Sequence, residues 1–202
     1  MQATLPPAHP HPPQDIKMPP FPCHAIISGI PRSRILSMEN KIETQIGNLL
    51  HQRGLKLAVA ESCTGGLIGH RITNVPGSSD YFNGGVIAYA YEAKVKLLGV
   101  SWETLKAYGA VSRETVLEMA TGARRSLESD IAVSVSGIAG PGGGLPGKPV
   151  GTTWIGLSAP LGQWARIFHF DGDREQNKAA ASEAALTMIL DYLQGNLDSK
   201  SS

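Results

Sequence analysis

Residues 57 to 67, LAVAESCTGGL, constrain this chain more than any other stretch. A short apolar run, Leu57 to Ala60, stops at Glu61-Ser62-Cys63-Thr64-Gly65-Gly66, and a helical pattern begins at Leu67. This is the signature of a buried strand, a tight polar loop and a helix start. Such a junction gathers small hydroxyls and free backbone N–H groups at one point. It suits holding an anion or presenting a nucleophile, and plain helix capping by Ser62 and Thr64 is the competing reading.

The rest of the chain supplies elements to pack around that unit. Helical spacing begins near Met38, with Ile42, Ile46, Leu49 and Leu50 on one face and Gly54 as the stop. The helix after Gly66 carries Leu67, Ile68 and Ile72 and breaks at Pro76-Gly77. Tyr81 to Tyr89 reads as a strand with a Gly-Gly bulge, and Glu92 to Leu98 as a helix closed by Gly99. Trp102 to Tyr108 is a short helical turn ended by Gly109. Ser112 is the N-cap of a helix facing inward through Val116, Met119, Ala120, Ala123 and Leu127. Ile131 to Val135 is expected to be an alternating strand. Two more strands, Thr152 to Leu157 and Trp164 to Phe170, join through Pro160-Leu161-Gly162. Asp171 or Asp173 caps a final helix with Ala181, Ala185, Met188 and Tyr192 inward. This order predicts one three-layer α/β/α domain with a mixed sheet, over residues 38–194, followed by a flexible tail at 195–202.

Residues 1–37 are of another kind. Nine of the 14 prolines and three of the six histidines fall there. That density forbids helix and sheet interiors. The segment is expected to be a disordered extension, or sequence upstream of a start at Met38; partner docking is the functional alternative.

Three constellations outside the tail could carry chemistry. The first is the loop itself. The second is Ser136-Gly137-Ile138-Ala139-Gly140-Pro141-Gly142-Gly143-Gly144, where glycines after a strand can converge N–H groups into an anion-binding nest. Its spacing is not that of a phosphate-binding P-loop, and Pro141, Pro146 and Pro149 argue against a dinucleotide fingerprint. The third is Tyr89 to Lys94. A lysine neutralised by burial can serve as base to a serine without any histidine, provided the fold brings Lys94 to Ser62. His51, His70 and His169 are isolated and read as structural or surface residues, with no metal spacing. Cys63 is a rival nucleophile without a histidine to pair with it. Arg174, beside a helix start, could clamp an anion.

A net charge of +1 gives no global pull toward nucleic acid or acidic lipid. No apolar run reaches the roughly 20 residues of a membrane helix. Two cysteines, Cys23 and Cys63, imply no disulfide framework, and no secretory pattern opens the chain, so it reads as cytoplasmic and reduced.

Taken together, the motifs resemble a known family. AESCTGG at 60–66, the Tyr89-to-Lys94 segment followed by KLLGV at 96–100, GAVS at 109–112, SGIAGPGGG at 136–144, KPVGT at 148–152 and GDRE at 172–175 occur in the order of the C-terminal domain of the CinA family, the nicotinamide mononucleotide deamidases also called PncC. The resemblance runs from about Met38 to Leu193. It implies the stand-alone form, without the molybdopterin-binding-like domain of larger members. It also implies an amidase that converts nicotinamide mononucleotide to nicotinic acid mononucleotide and ammonia in pyridine nucleotide salvage, with no cofactor and no metal. Ser62 is then the nucleophile and Lys94 the base, with Tyr89 positioning the dyad or the ring. Cys63, Thr64, Gly65, Gly66, Ser136, Gly137 and Gly140 line the substrate site, and Arg174 holds the anionic end.

The expected partners are a small nucleotide substrate and further copies of the chain in a dimer or larger homo-oligomer, with no membrane and no nucleic acid. The family's Tyr-Ser-Asn-Glu-Ala-Lys stands here as Tyr89-Ala90-Tyr91-Glu92-Ala93-Lys94, and an arginine common four residues after the GDR arginine is here Lys178. The rival class is a non-catalytic nucleotide- or partner-binding module tied to competence and the DNA-damage response.

Overall fold

A computed structural model describes residues 41–197. The proline-rich segment 1–37 lies outside the described residues, as does 198–202. The elements are α1 (Ile42–Arg53), β1 (Leu57–Glu61), α2 (Leu67–Thr73), a 3₁₀ turn (Ser78–Asp80), β2 (Phe82–Ile87), α3 (Tyr91–Leu98), α4 (Trp102–Tyr108), α5 (Arg113–Ser126), β3 (Ile131–Gly137), β4 (Thr152–Ala159), β5 (Gly162–His169) and α6 (Arg174–Gln194). One five-stranded sheet runs in the order β2-β1-β3-β4-β5. β2, β1 and β3 are parallel, and β4 and β5 add on as an antiparallel hairpin. The fold is the expected three-layer α/β/α domain with a mixed sheet.

The two faces of the sheet are built differently. Leu57, Val59, Ile131, Val133 and Val135 point to one side, under Ile46 and Leu50 of α1, Ile68 and Ile72 of α2, and Leu186 and Ile189 of α6. On the other side the sheet offers Ala58, Ala60 and Ala132, packed with Leu98 of α3, Leu105 of α4, and Met119 and Ala123 of α5. Small residues let α5 lie close. The Ser134 hydroxyl donates to the Val116 carbonyl, and a Cβ added at Gly156 would come within 2.7 Å of that same oxygen. Between helices the approach is tighter still, because a Cβ at Gly122 of α5 would overlap the Leu98 carbonyl that ends α3.

Several local signals act as read. Gly54 and Gly99 close α1 and α3 in the left-handed conformation at φ 62° and 69°. The Ser112 side chain caps α5, and Asp173 rather than Asp171 caps α6 in a reciprocal capping box with Gln176. The bulge of β2 is present but falls at Asn83, one residue before the Gly84-Gly85 pair at which the sequence placed it. One expectation is corrected. Residues 131–136 of β3 are not half-exposed in alternation but buried on both faces, because helices cover both sides of its central position. The last residues also differ from a plain tail, since Leu197 still packs against the core.

The chain reverses direction around β1. It leaves β1 through α2 on one face and leaves β2 through α3 on the other. In open α/β sheets the crevice beyond the carboxyl ends of two such strands is the preferred binding place. Here that crevice lies between Ser62, which follows β1, and residues 88–94, which follow β2. The close seat of α3 on α5 helps set where Lys94 falls. Gly122→Ala is therefore expected to destabilise the domain by about 1–3 kcal/mol or more, as overpacking against fixed backbone does. A denaturant midpoint matching the unsubstituted protein would contradict this packing.

Candidate active site

Ser62 stands at the carboxyl end of β1, its N–H donating to the Val135 carbonyl of β3 at 3.0 Å. On the other flank the Ala88 N–H donates to the Glu61 carbonyl at 2.8 Å, so the ends of β2, β1 and β3 meet at one place. Lys94, one turn into α3, reaches back down to it. Its Nζ lies 2.9 Å from Ser62 Oγ, 2.8 Å from the Ala88 carbonyl and 3.4 Å from the Tyr89 carbonyl. Lys94 is 1% exposed and Ser62 8% exposed.

No carboxylate is among these contacts. A buried ammonium facing only carbonyls and a hydroxyl loses its hydration without gaining a counter-charge. Burial accordingly pushes the Lys94 pKa down, from 10.5 to about 8. The geometry suits the neutral amine. Its two N–H groups match the Ala88 and Tyr89 carbonyls, and its lone pair then faces the Ser62 hydroxyl.

The loop after Ser62 is anchored by an acid that sequence reasoning had not singled out. Glu61, 1% exposed, turns its carboxylate back onto the loop. Oε2 accepts from the Thr64 hydroxyl at 2.6 Å, the Gly66 N–H at 2.8 Å and the Ile68 N–H at 3.2 Å, and Oε1 accepts from the Gly69 N–H at 2.9 Å. The anion cradle at the start of α2 is thus already filled from within the chain. The Thr64 hydroxyl and the Gly66 N–H belong to Glu61 rather than to a ligand. The only sequence signal was an acid directly before the loop, at the end of an otherwise apolar run. Cys63 is 5% exposed and packs in the core under α1, α2 and α6. Burial, aided by the nearby Glu61 carboxylate, pushes its thiol up to about 12, which keeps it protonated and a poor nucleophile.

The second glycine loop forms the opposite rim. Ser136 is buried at the end of β3, one residue past the Val135 carbonyl that holds Ser62. Gly137 pairs with Thr153 and has no room for a Cβ beside the Thr153 side chain. Gly140 takes φ 93°. Arg174 is not a free cation at this rim. Its guanidinium donates to the Gly140 carbonyl at 2.6 Å and to the Tyr89 hydroxyl at 2.9 Å. The Tyr89 ring is 60% exposed, and Arg174 ties it across the rim to the glycine loop. Asn177, also missed from sequence, is buried one turn on. Its amide donates to the Ala139 carbonyl and to the nearby Gly172 carbonyl, so that, with Arg174 on the Gly140 carbonyl, the first turn of α6 grips that loop twice.

Ala90 and Tyr91 are both exposed, and neither side chain reaches Lys94 Nζ; the Tyr91 hydroxyl instead accepts from the Ala110 N–H at 3.4 Å. The contacts of Lys94 Nζ therefore involve neither of these two side chains. His51 lies far from this place. It lines a cavity of about 280 Å³ with Asn48, Gln52 and Tyr81, at the opposite end of the sheet. Among the described residues no group of three or more His, Cys, Asp or Glu side chains could hold a metal ion, and no helix is long and apolar enough to cross a membrane.

The model of one protein family, the CinA C-terminal domain, matches residues 39–193. The chain belongs to this family. A CinA-like protein of Chloroherpeton thalassium is 54% identical over 159 residues, covering 77% of this chain and 38% of that protein. A CinA-like protein of Chlorobaculum tepidum is 48% identical over 171 residues, covering 82% of this chain and 40% of the relative. The chain thus spans about two fifths of the length of these curated relatives. Among solved structures, a competence-damaged protein (CinA) superfamily protein from Klebsiella pneumoniae superposes with a TM-score of 0.74 at 34% identity, over 76% of this chain and 96% of that one. The CinA domain therefore occurs in solved structures as nearly a whole chain as well as a part of longer proteins.

The buried lysine has a consequence measurable without any substrate. Its pKa in the folded CinA domain lies below its unfolded value, so between about pH 8 and 10.5 the unfolded chain binds more protons. Stability must then rise with pH across that window from this group. The difference in unfolding free energy between the wild-type protein and Lys94→Met, followed by denaturation from pH 7 to 11, is expected to shift in favour of wild type above pH 8. A difference flat with pH would mean that Lys94 is not held near neutrality.

Proposed function

We propose that this CinA domain is a serine amidase with a Ser62/Lys94 dyad, and that it converts nicotinamide mononucleotide to nicotinic acid mononucleotide and ammonia. One observation carries the chemistry: Lys94 Nζ sits 2.9 Å from Ser62 Oγ while two backbone carbonyls occupy its other contacts. The substrate rests on the resemblance of the six ordered motifs to the deamidases of the family.

The neutral amine of Lys94 takes the Ser62 proton as Oγ attacks the carboxamide carbon. The Glu61 carboxylate already holds the N–H groups of Gly66, Ile68 and Gly69, and the N–H groups of Cys63 and Thr64 turn to the Cys63 sulfur, which leaves the Gly65 N–H as the loop's donor to the developing oxyanion. Each well-placed donor of this kind contributes about 3–4 kcal/mol to the transition state in a protease of known behaviour. The Lys94 ammonium returns its proton to the leaving nitrogen, and ammonia departs. Water, deprotonated by the same amine, then hydrolyses the Ser62 ester and frees the carboxylate product. Tyr89 and Arg174, linked across the rim, face the ring and the anionic end of the substrate, and Ser136 and Gly140 shape the wall between them.

The names of the relatives, which refer to competence and damage, support a second reading, a nucleotide-binding module without turnover. Ammonia release from nicotinamide mononucleotide by purified protein separates the two. Release by wild type and none by Ser62→Ala is the expected result. Binding of the nucleotide with no ammonia from either protein would replace the amidase by the module. For the dyad itself, kcat/KM is expected to climb as pH rises toward about 8, where Lys94 loses its proton, and then level off. Lys94→Ala is expected to lose at least ~10²-fold, the lower end of what a general base supplies. An unchanged kcat in that variant would remove Lys94 from the mechanism.

A further inference from the structure

The residue just before the nucleophile holds the loop just after it. Glu61 lies within the sheet, its backbone paired with Ile87 of β2 and Val135 of β3. Its side chain then receives four hydrogen bonds, all from residues 64–69. No lysine, arginine or histidine is among those donors. The buried charge is compensated by backbone N–H groups at the start of α2 and by one hydroxyl, an arrangement that favours an anion at a helix start. Ser62 is thus gripped from both sides by one residue. It follows Glu61 covalently, and the chain that leaves it is clamped to the Glu61 carboxylate within a few residues.

We propose that Glu61 is the positioning residue of this site. Its carboxylate sets the turn at residues 62–66, which places Ser62 Oγ against Lys94 Nζ and leaves the Gly65 N–H free of the carboxylate, as the loop's donor to the substrate. The inference rests on the amidase reading above and adds to it a group that never touches substrate.

The chemistry needs a carboxylate of this length. A glutamine at 61 offers one acceptor oxygen and one NH₂ group. That NH₂ would face an N–H or O–H donor, so at least one of the four bonds is lost and replaced by a donor–donor conflict. An aspartate keeps the charge but is one methylene short of the α2 start. A shift of about 1 Å at the nucleophile is enough to cost on the order of 10²-fold in turnover.

The experiment first asks whether wild-type protein is modified at Ser62 by a fluorophosphonate probe and releases ammonia from nicotinamide mononucleotide, with Ser62→Ala as control. Neither reaction in folded wild type would sink the amidase reading and this inference with it. If only the probe reacts, its labelling rate replaces kcat below. Glu61→Gln and Glu61→Asp are then compared with wild type at a temperature where each is folded. Glu61→Gln is expected to lose on the order of 10²-fold in kcat with KM changed little, and Glu61→Asp to recover part of that loss. The amide protons of Gly66, Ile68 and Gly69 are expected to exchange faster. The rising pH limb is expected to stay near 8, since the Lys94 contacts do not involve Glu61.

A Glu61→Gln kcat equal to wild type, or one that falls only with the unfolded fraction, overturns the assignment, as does a shifted pH limb that accounts for the whole loss. Should Glu61→Gln fail to fold, Thr64→Val removes one of the four donors and keeps the carboxylate. A reduced kcat with faster loop exchange in that variant supports the positioning role, and an unchanged kcat refutes it.

Discussion

A lysine amine sealed under α3 without a carboxylate partner is the constraint on which the site depends. Taking an ammonium out of water is costly, and the Ala88 and Tyr89 carbonyls with the Ser62 hydroxyl only partly replace its hydration. The cost falls when the proton leaves, so burial makes a base of a residue that water would keep charged. A serine beside such a base needs no histidine. The sheet supplies the rest: β2 ends beneath the lysine, β1 ends at the serine, and β3 holds the serine backbone through the Val135 carbonyl.

The packing around that pair explains the asymmetry of the domain. Toward α3, α4 and α5 the central strands present alanine, serine and glycine, which brings helices down close to the strands. A bulkier sheet face would lift α3 and carry Lys94 away from Ser62. The opposite face holds the larger aliphatic side chains and most of the apolar core, under α1, α2 and α6. One side thus supplies bulk burial and the other close approach.

Charge is handled locally in the same economical way. The Glu61 carboxylate occupies the start of α2, and the Arg174 guanidinium spans the Gly140 carbonyl and the Tyr89 hydroxyl. The α2 start and Arg174 had been natural candidates for a ligand's cradle and its partner: a glycine-rich helix start and an arginine beside a cap. In the folded chain each is first of all a clasp between two loops. An anion that reached this rim would meet a guanidinium already oriented by two oxygens. It would not meet an empty helix terminus.

Much of this is legible in the sequence. The succession of elements, the Gly54 and Gly99 stops and the Ser112 cap follow from local rules of periodicity and backbone conformation, because each depends on neighbours within a few residues; the choice of Asp173 over Asp171 and the bulge at Asn83 rather than at the Gly-Gly pair came from the structure. The identity of Ser62 and Lys94 as a candidate pair came from motifs, and so did the family. Their meeting did not, because 32 residues separate them and only the crossover around β1 and the close seat of α3 bring them together. Glu61 escaped notice for a related reason. In sequence it ends an apolar strand beside a loop of small residues, and nothing there says whether its side chain points to water or folds back. Asn177 was equally silent, since its distant partner at Ala139 is chosen by where α6 docks. The chain by itself determined which elements form and which residues could react. Tertiary structure decided which donors remain open and what charge the lysine carries, because burial and hydrogen-bond satisfaction are properties of the packed assembly, not of any segment.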